Sequence, residues 1–148
     1  MGIRNIQAEA FGEWLEENHS LHDAILFGFE FLNGQNDGDA PFPVNVLKLG
    51  LKIPVDLALG KYDTVSVVLR GVISVDVKIR YLIDAQCFLD AIYLTNAEIE
   101  VDGISGVGKT KVFRLKLYGD YYSEREREWN ERQIVDVSCE SFENHRQD

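Results

Sequence analysis

From Thr64 to Arg80 the apolar side chains fall on odd numbers: Val65, Val67 and Leu69, then Ile73, Val75, Val77 and Ile79. Ser66, Arg70, Ser74, Asp76, Lys78 and Arg80 fall between them. A period of two predicts a strand with one buried and one solvated face. Gly71 interrupts the run without changing its parity, which suits a bulge or a bend that splits it into two strands. A long β element with one apolar face needs a covering layer, so the other segments are read as sheet partners and cover.

Taken in order, Ala8 to Asn18 predicts a short helix, with Phe11, Trp14 and Leu15 on one face and Glu13, Glu16 and Glu17 opposite. Asp23 to Leu32 places Ile25, Phe27, Phe29 and Phe31 on one face of a first strand, ended by the turn-rich NGQNDGDAPFP. Val44 to Leu59 alternates Leu47, Leu49, Leu51, Ile53, Val55 and Leu57 with polar or small residues. Pro54 has no N–H for a ladder, so this strand lies at an edge or breaks there. Tyr81 to Leu94 fits neither period and is read as a loop leading to a short strand at 91–94. Ala97–Val101, Lys111–Tyr118 and Gln133–Phe142 predict three further strands. Asp120 to Arg132 is a charged segment, a helical turn or an excursion loop, and the tail from Glu143 is read as frayed.

These elements predict an α+β, mostly β single domain spanning 1–148. It is an antiparallel sheet or half-barrel of about six to eight strands with one short N-terminal helix. A chain of 148 residues buries roughly 70% of its unfolded surface without metals or disulfides. No apolar run reaches membrane-spanning length, and MGIRNIQAEAFGEW lacks the apolar core of a signal peptide. Cys87 and Cys139 sit in apolar patterns without a close pair and are read as reduced, buried thiols, which points to the cytoplasm.

Charge changes the picture more than composition does. The net charge of −10 belongs to the ends: residues 1–30 contribute −5 and residues 120–148 another −5, while the middle cancels. Packed side by side, the ends would form one acidic surface that repels nucleic acid and attracts a basic partner. Solvated ends whose acids serve solubility are the alternative.

Three motifs invite chemistry and fail on context. Gly103-Ile104-Ser105-Gly106-Val107-Gly108-Lys109-Thr110 matches the phosphate-loop pattern G-x-x-x-x-G-K-[ST]. A phosphate loop launches a helix, whereas Lys111–Leu117 alternates as a strand, so a glycine-rich hairpin explains the same letters. His22-Asp23 resembles a metal-hydrolase pair, but with His19 and His145 the chain holds only three histidines. A structural role is assigned instead: Asp23 accepting backbone N–H bonds and His22 bridging layers, with Trp14 anchoring the helix. The calcium-like loop from Asn33 has Val44 where a bidentate Glu belongs. No metal, cofactor or catalytic constellation is assigned.

The helix with Trp14, the entry Leu21-His22-Asp23-Ala24-Ile25-Leu26, the run Val68-Leu69-Arg70-Gly71-Val72 and the Asn96 region together resemble a group of small bacterial proteins. These are uncharacterised domains, some of them immunity proteins of polymorphic toxin systems. The Walker-like hairpin and the Tyr121–Arg132 excursion depart from that pattern. The resemblance implies stoichiometric, non-catalytic neutralisation of a cognate toxin in the bacterial cytoplasm. An acidic surface suits a basic toxin domain. Tyr121, Tyr122 and Trp129 amid Glu124, Glu126 and Glu128 have the makeup of interface anchors. A solvated loop with Trp129 tucked into the core is the competing reading. No nucleic-acid or membrane partner is expected, and a homodimer that covers an edge strand is the alternative to a toxin partner.

Overall fold

The computed structural model describes residues 5–36, 43–78, 92–104, 111–123 and 127–147. The helix α1 (Ile6–Glu17) and a 3-10 turn (His19–Leu21) precede eight strands. These are β1 (Ile25–Gln35), β2 (Val44–Asp56), β3 (Lys61–Arg70), β4 (Ser74–Val77), β5 (Ile92–Ile104), β6 (Lys111–Ser123), β7 (Glu128–Cys139) and β8 (Ser141–Gln147). They form one antiparallel sheet of order β4-β7-β6-β5-β1-β2-β3-β8. The fold is thus mostly β with one N-terminal helix.

The odd-number rule builds the core. Cross-strand partners share a face, and Leu47↔Leu69, Leu49↔Val67 and Leu51↔Val65 join β2 to β3. Phe113↔Cys139, Leu115↔Val137 and Leu117↔Val135 join β6 to β7 in the same way. All of these side chains are buried, in one cluster with Ala8, Phe11 and Leu15 of α1. The Asn5 side chain caps the helix, accepting from the Ala8 amide at 3.0 Å. Phe11 then meets Phe142 of β8 edge-on, with ring centroids 4.2 Å apart, and Phe113 of β6 at 5.9 Å. The helix is the cover that the one-sided sheet required.

The ends of the strand order are not independent. β3 runs on into β4 and β7 into β8, so the β3·β8 and β4·β7 ladders are successive stretches of one long ribbon. Backbone bonds continue through the corner between them, from Glu140 N to Arg70 O (3.0 Å) and from Ile73 N to Ser138 O (2.8 Å). Gly71 makes the corner, in the left-handed region at φ +66° that favours glycine. The bend expected at Gly71 is there, and the odd-number parity resumes beyond it, with Val75 opposite Val137 and Val77 opposite Val135 on the core side; the corner itself departs from it. Val72 turns into the core and Ile73 is exposed; Val75, opposite Val137 on the short edge strand β4, is also exposed.

Several other expectations need correction. Phe27, Phe29 and Phe31 do not share a buried face. A bulge between Leu26 and Gly28 shifts the register, so Leu26 pairs with Leu51 whereas Phe29 and Phe31 pair with Leu49 and Leu47. Phe27 is left on the outer face, its ring against Gly50, where an added Cβ would lie 2.7 Å from ring carbons. Phe29 and Phe31 share the inner face yet stay 49% and 45% exposed. Among the described residues, β5 accompanies β1 only at Ile25↔Tyr93 and Leu26↔Ile92.

β2 lies inside the sheet rather than at its edge. β1 pairs with it only as far as Lys52, however, so Pro54 falls where β3 is the sole described neighbour. The segments expected at 91–94 and 97–101 fall in one strand from Ile92 onward, and residues 79–91 lie outside those described. The tail is not frayed at 143–147: it is β8, in register with β3 from Arg70↔Ser141 to Thr64↔Gln147.

Candidate functional site: the β6–β7 ribbon

The phosphate-loop letters join two antiparallel strands. Ile104 pairs with Lys111, and Lys111 opens a strand of 13 residues where a nucleotide site requires a helix. Residues 105–110 themselves lie outside those described.

Residues 120–123 and 128–132 are strand rather than a helical turn or an excursion loop, and residues 124–126 lie outside those described. The β5·β6 ladder stops at Leu94↔Gly119, but β6·β7 continues through Asp120↔Glu131, Tyr121↔Asn130, Tyr122↔Trp129 and Ser123↔Glu128. On the other side of β7, β4 reaches only Val77↔Val135. Among the described residues, the sheet therefore narrows to two strands beyond Gly119. This ribbon carries most of the residues singled out as interface anchors. Tyr122 and Trp129 occupy directly opposed register positions, with Tyr121 next in line opposite Asn130. Glu128 is exposed, and Glu124 and Glu126 lie outside the described residues.

The base of the ribbon is shaped by a second bulge. Leu117 pairs with Val135 but Tyr118 with Gln133, leaving Ile134 unpaired in the ladder and buried in the core. Gly119 makes room for it: a Cβ there would lie 2.3 Å from Ile134 Cδ1 and 2.9 Å from the Tyr93 carbonyl oxygen. Just beyond, Asp120 and Glu131 stand opposite each other, a like-charge pair that works against the ladder. Thr95 Oγ1 donates to Glu131 Oε2 at 2.6 Å, tying that carboxylate to β5. Thr95, Asp120 and Glu131 were not among the expected site residues. The sequence signal for the two acids is their place in DYYSEREREWNER, flanking the aromatic residues.

Beneath the ribbon the outer face of β5–β6–β7 is a satisfied polar network. Arg114 Nε donates to Asp136 Oδ1 at 2.6 Å, and a second Arg114 nitrogen donates to Oδ2, where Gln133 Nε2 also donates at 3.3 Å. The Arg114 guanidinium holds the Asp136 carboxyl below its ordinary range. Lys116 bonds Glu100 at 3.0 Å, which raises its pKa, and the Tyr118 hydroxyl donates to Glu98 at 3.1 Å. Partial burial, reinforced by Glu98, raises the Tyr118 phenol. Burial pushes the Cys139 thiol up to about 12, so it is a neutral core side chain and a poor nucleophile. Among the described residues no group of three or more His, Cys, Asp and Glu side chains could hold a metal ion.

The His-Asp step is built differently from expectation. His19, Ser20, Leu21 and Asp23 all have φ between 53° and 66°, a left-handed turn made without glycine. Each such residue costs of order 1 kcal/mol. The turn is held by Asp23 N donating to Leu94 O (2.9 Å) and Leu94 N to Ala24 O (2.8 Å). It is therefore the Asp23 amide, as donor, that ties this step to the sheet. The Asp23 carboxylate pairs with His22 Nδ1 at 2.9 Å, and His22 points to solvent rather than bridging layers. Trp14 is partly buried against the core, its ring stacked on Phe11 of the same helix at 5.6 Å.

The two acidic ends do meet in part. The Phe142 amide at the start of β8 donates to Gln7 Oε1 of α1 at 3.3 Å, so the first helix and last strand are neighbours. Glu9, Glu13, Glu16 and Glu17 of α1 are all exposed, and the helix contains no Lys or Arg. No family model, curated protein or solved structure matches the chain.

Proposed function

We propose that this protein is a non-catalytic binding protein that acts by stoichiometric association with a basic protein partner. The reading rests on the two-stranded ribbon beyond Gly119, which sets Tyr122 opposite Trp129 between acidic residues. Aromatic anchors within a charged rim are the makeup of protein interfaces. A ribbon of this kind adds little to a core and can enter a concave surface on another molecule. Two features of the chain add support. Its net charge is −10, and α1 sets Glu13 and Glu17 four residues apart, where like charges repel. Glu16 and Glu17 also stand at the helix C-terminus, the wrong end for anions. A basic partner relieves both conflicts.

The resemblance to immunity-type proteins makes the cognate partner a basic bacterial toxin domain, bound in the cytoplasm with no cofactor, nucleic acid or membrane required. No helix among the described residues is long and apolar enough to cross a membrane. Capture from lysate of the source cells, read by quantitative mass spectrometry, tests the proposal with two baits. The wild-type chain is expected to recover a basic polypeptide at one-to-one stoichiometry, released by salt. A Tyr122→Ala/Trp129→Ala variant is expected to lose it. Identical recovery by both baits contradicts the assignment to the ribbon.

A second reading is self-association. The edge strand β4 is paired only with β7 among the described residues, and Val75 on it and Ile73 just before it are exposed. Recovery of only the chain itself, together with a dimer in sedimentation that Val75→Lys dissociates, favours this reading.

A further inference from the structure

We draw no further inference here: the strongest candidate, the aliphatic tip of the β2–β3 hairpin, where Val55, Leu57 and Leu59 stand exposed around a turn fixed by the Leu59 amide donating to Asp56 Oδ1, carries nothing because nothing in the structure shows what covers it.

Discussion

On either side of Gly119 the same pair of strands lives in two settings. Toward the core, β6 is flanked by both β5 and β7, and Phe113, Leu115 and Leu117 are buried in the shared cluster. Past Gly119, β6 and β7 pair in the ladder only with each other among the described residues, with the Thr95–Glu131 hydrogen bond as a side-chain tie to β5. A two-stranded ribbon by itself is marginal in water. The inner half is therefore packed between two neighbouring strands, and the outer half has a strand neighbour on one side only. Composition follows the same division. Apolar alternation ends at Leu117, and the ribbon brings Asp120 opposite Glu131, an arrangement that stability alone disfavours. The difference teaches where to look for function: in the stretch where the ladder continues with a strand neighbour on one side only.

The largest expected effect lies on the inner side. Phe113→Ala empties a fully buried position in contact with Phe11 and should cost about 3–5 kcal/mol of stability in urea unfolding. A loss below about 1 kcal/mol would mean that β6 is not a core strand. Next comes the junction. Gly119→Ala drives a Cβ into Ile134 and the Tyr93 carbonyl and should cost about 1–3 kcal/mol, by the overpacking that a closed site permits. A neutral result would show that the bulge at Ile134 shifts freely.

A smaller effect is expected from the network between the two regions. The Asp136 carboxyl is held below its unfolded value by Arg114, so its contribution is present above an unfolded pKa of about 4. It disappears as pH falls through the still lower folded value. Asp136→Asn should lower the unfolding midpoint at pH 7, and the gap to wild type should close below about pH 4. A gap that persists at lower pH would assign the loss to packing rather than charge. Smallest of all, Glu17→Lys on α1 should stabilise the chain by a few tenths of a kcal/mol, replacing a like-charge neighbour of Glu13 with a favourable last-turn cation. Thermal unfolding at low salt resolves this, and destabilisation would indicate that Glu17 serves the fold.

Much of the inner region was legible in the sequence because alternation survives wherever one face is sealed. β2, β3, β6 and the β5–β6 hairpin followed from parity and from the strand after Thr110. What escaped were the irregular positions. The bulge at Phe27–Gly28 inverts β1 without any local marker, so three phenylalanines looked like one buried face. β8, Ser-Phe-Glu-Asn-His-Arg-Gln, reads as a tail because it is an outer strand with one core residue, Phe142, and charged positions that blunt an edge. The ribbon looked like a loop because its sequence, DYYSEREREWNER, carries no apolar alternation. Tyr121, Tyr122 and Trp129 were singled out all the same, since aromatic side chains among charges stand out even where the backbone does not. Their pairing across β6 and β7 was not legible, because register is fixed by the bulge at Ile134 and by packing in the body.

The claim that most needs testing is that the ribbon serves a partner and not the fold. Residues 120–131 can be replaced by Asn-Gly, a two-residue hairpin turn joining Gly119 to Arg132, which already face each other in the ladder. The unfolding free energy of this shortened chain is the direct measurement. A value within about 1 kcal/mol of wild type is predicted, as expected for trimming residues that lie outside the cooperative core. A loss of about 3 kcal/mol or more would place the ribbon in the core's cooperative unit and contradict the account.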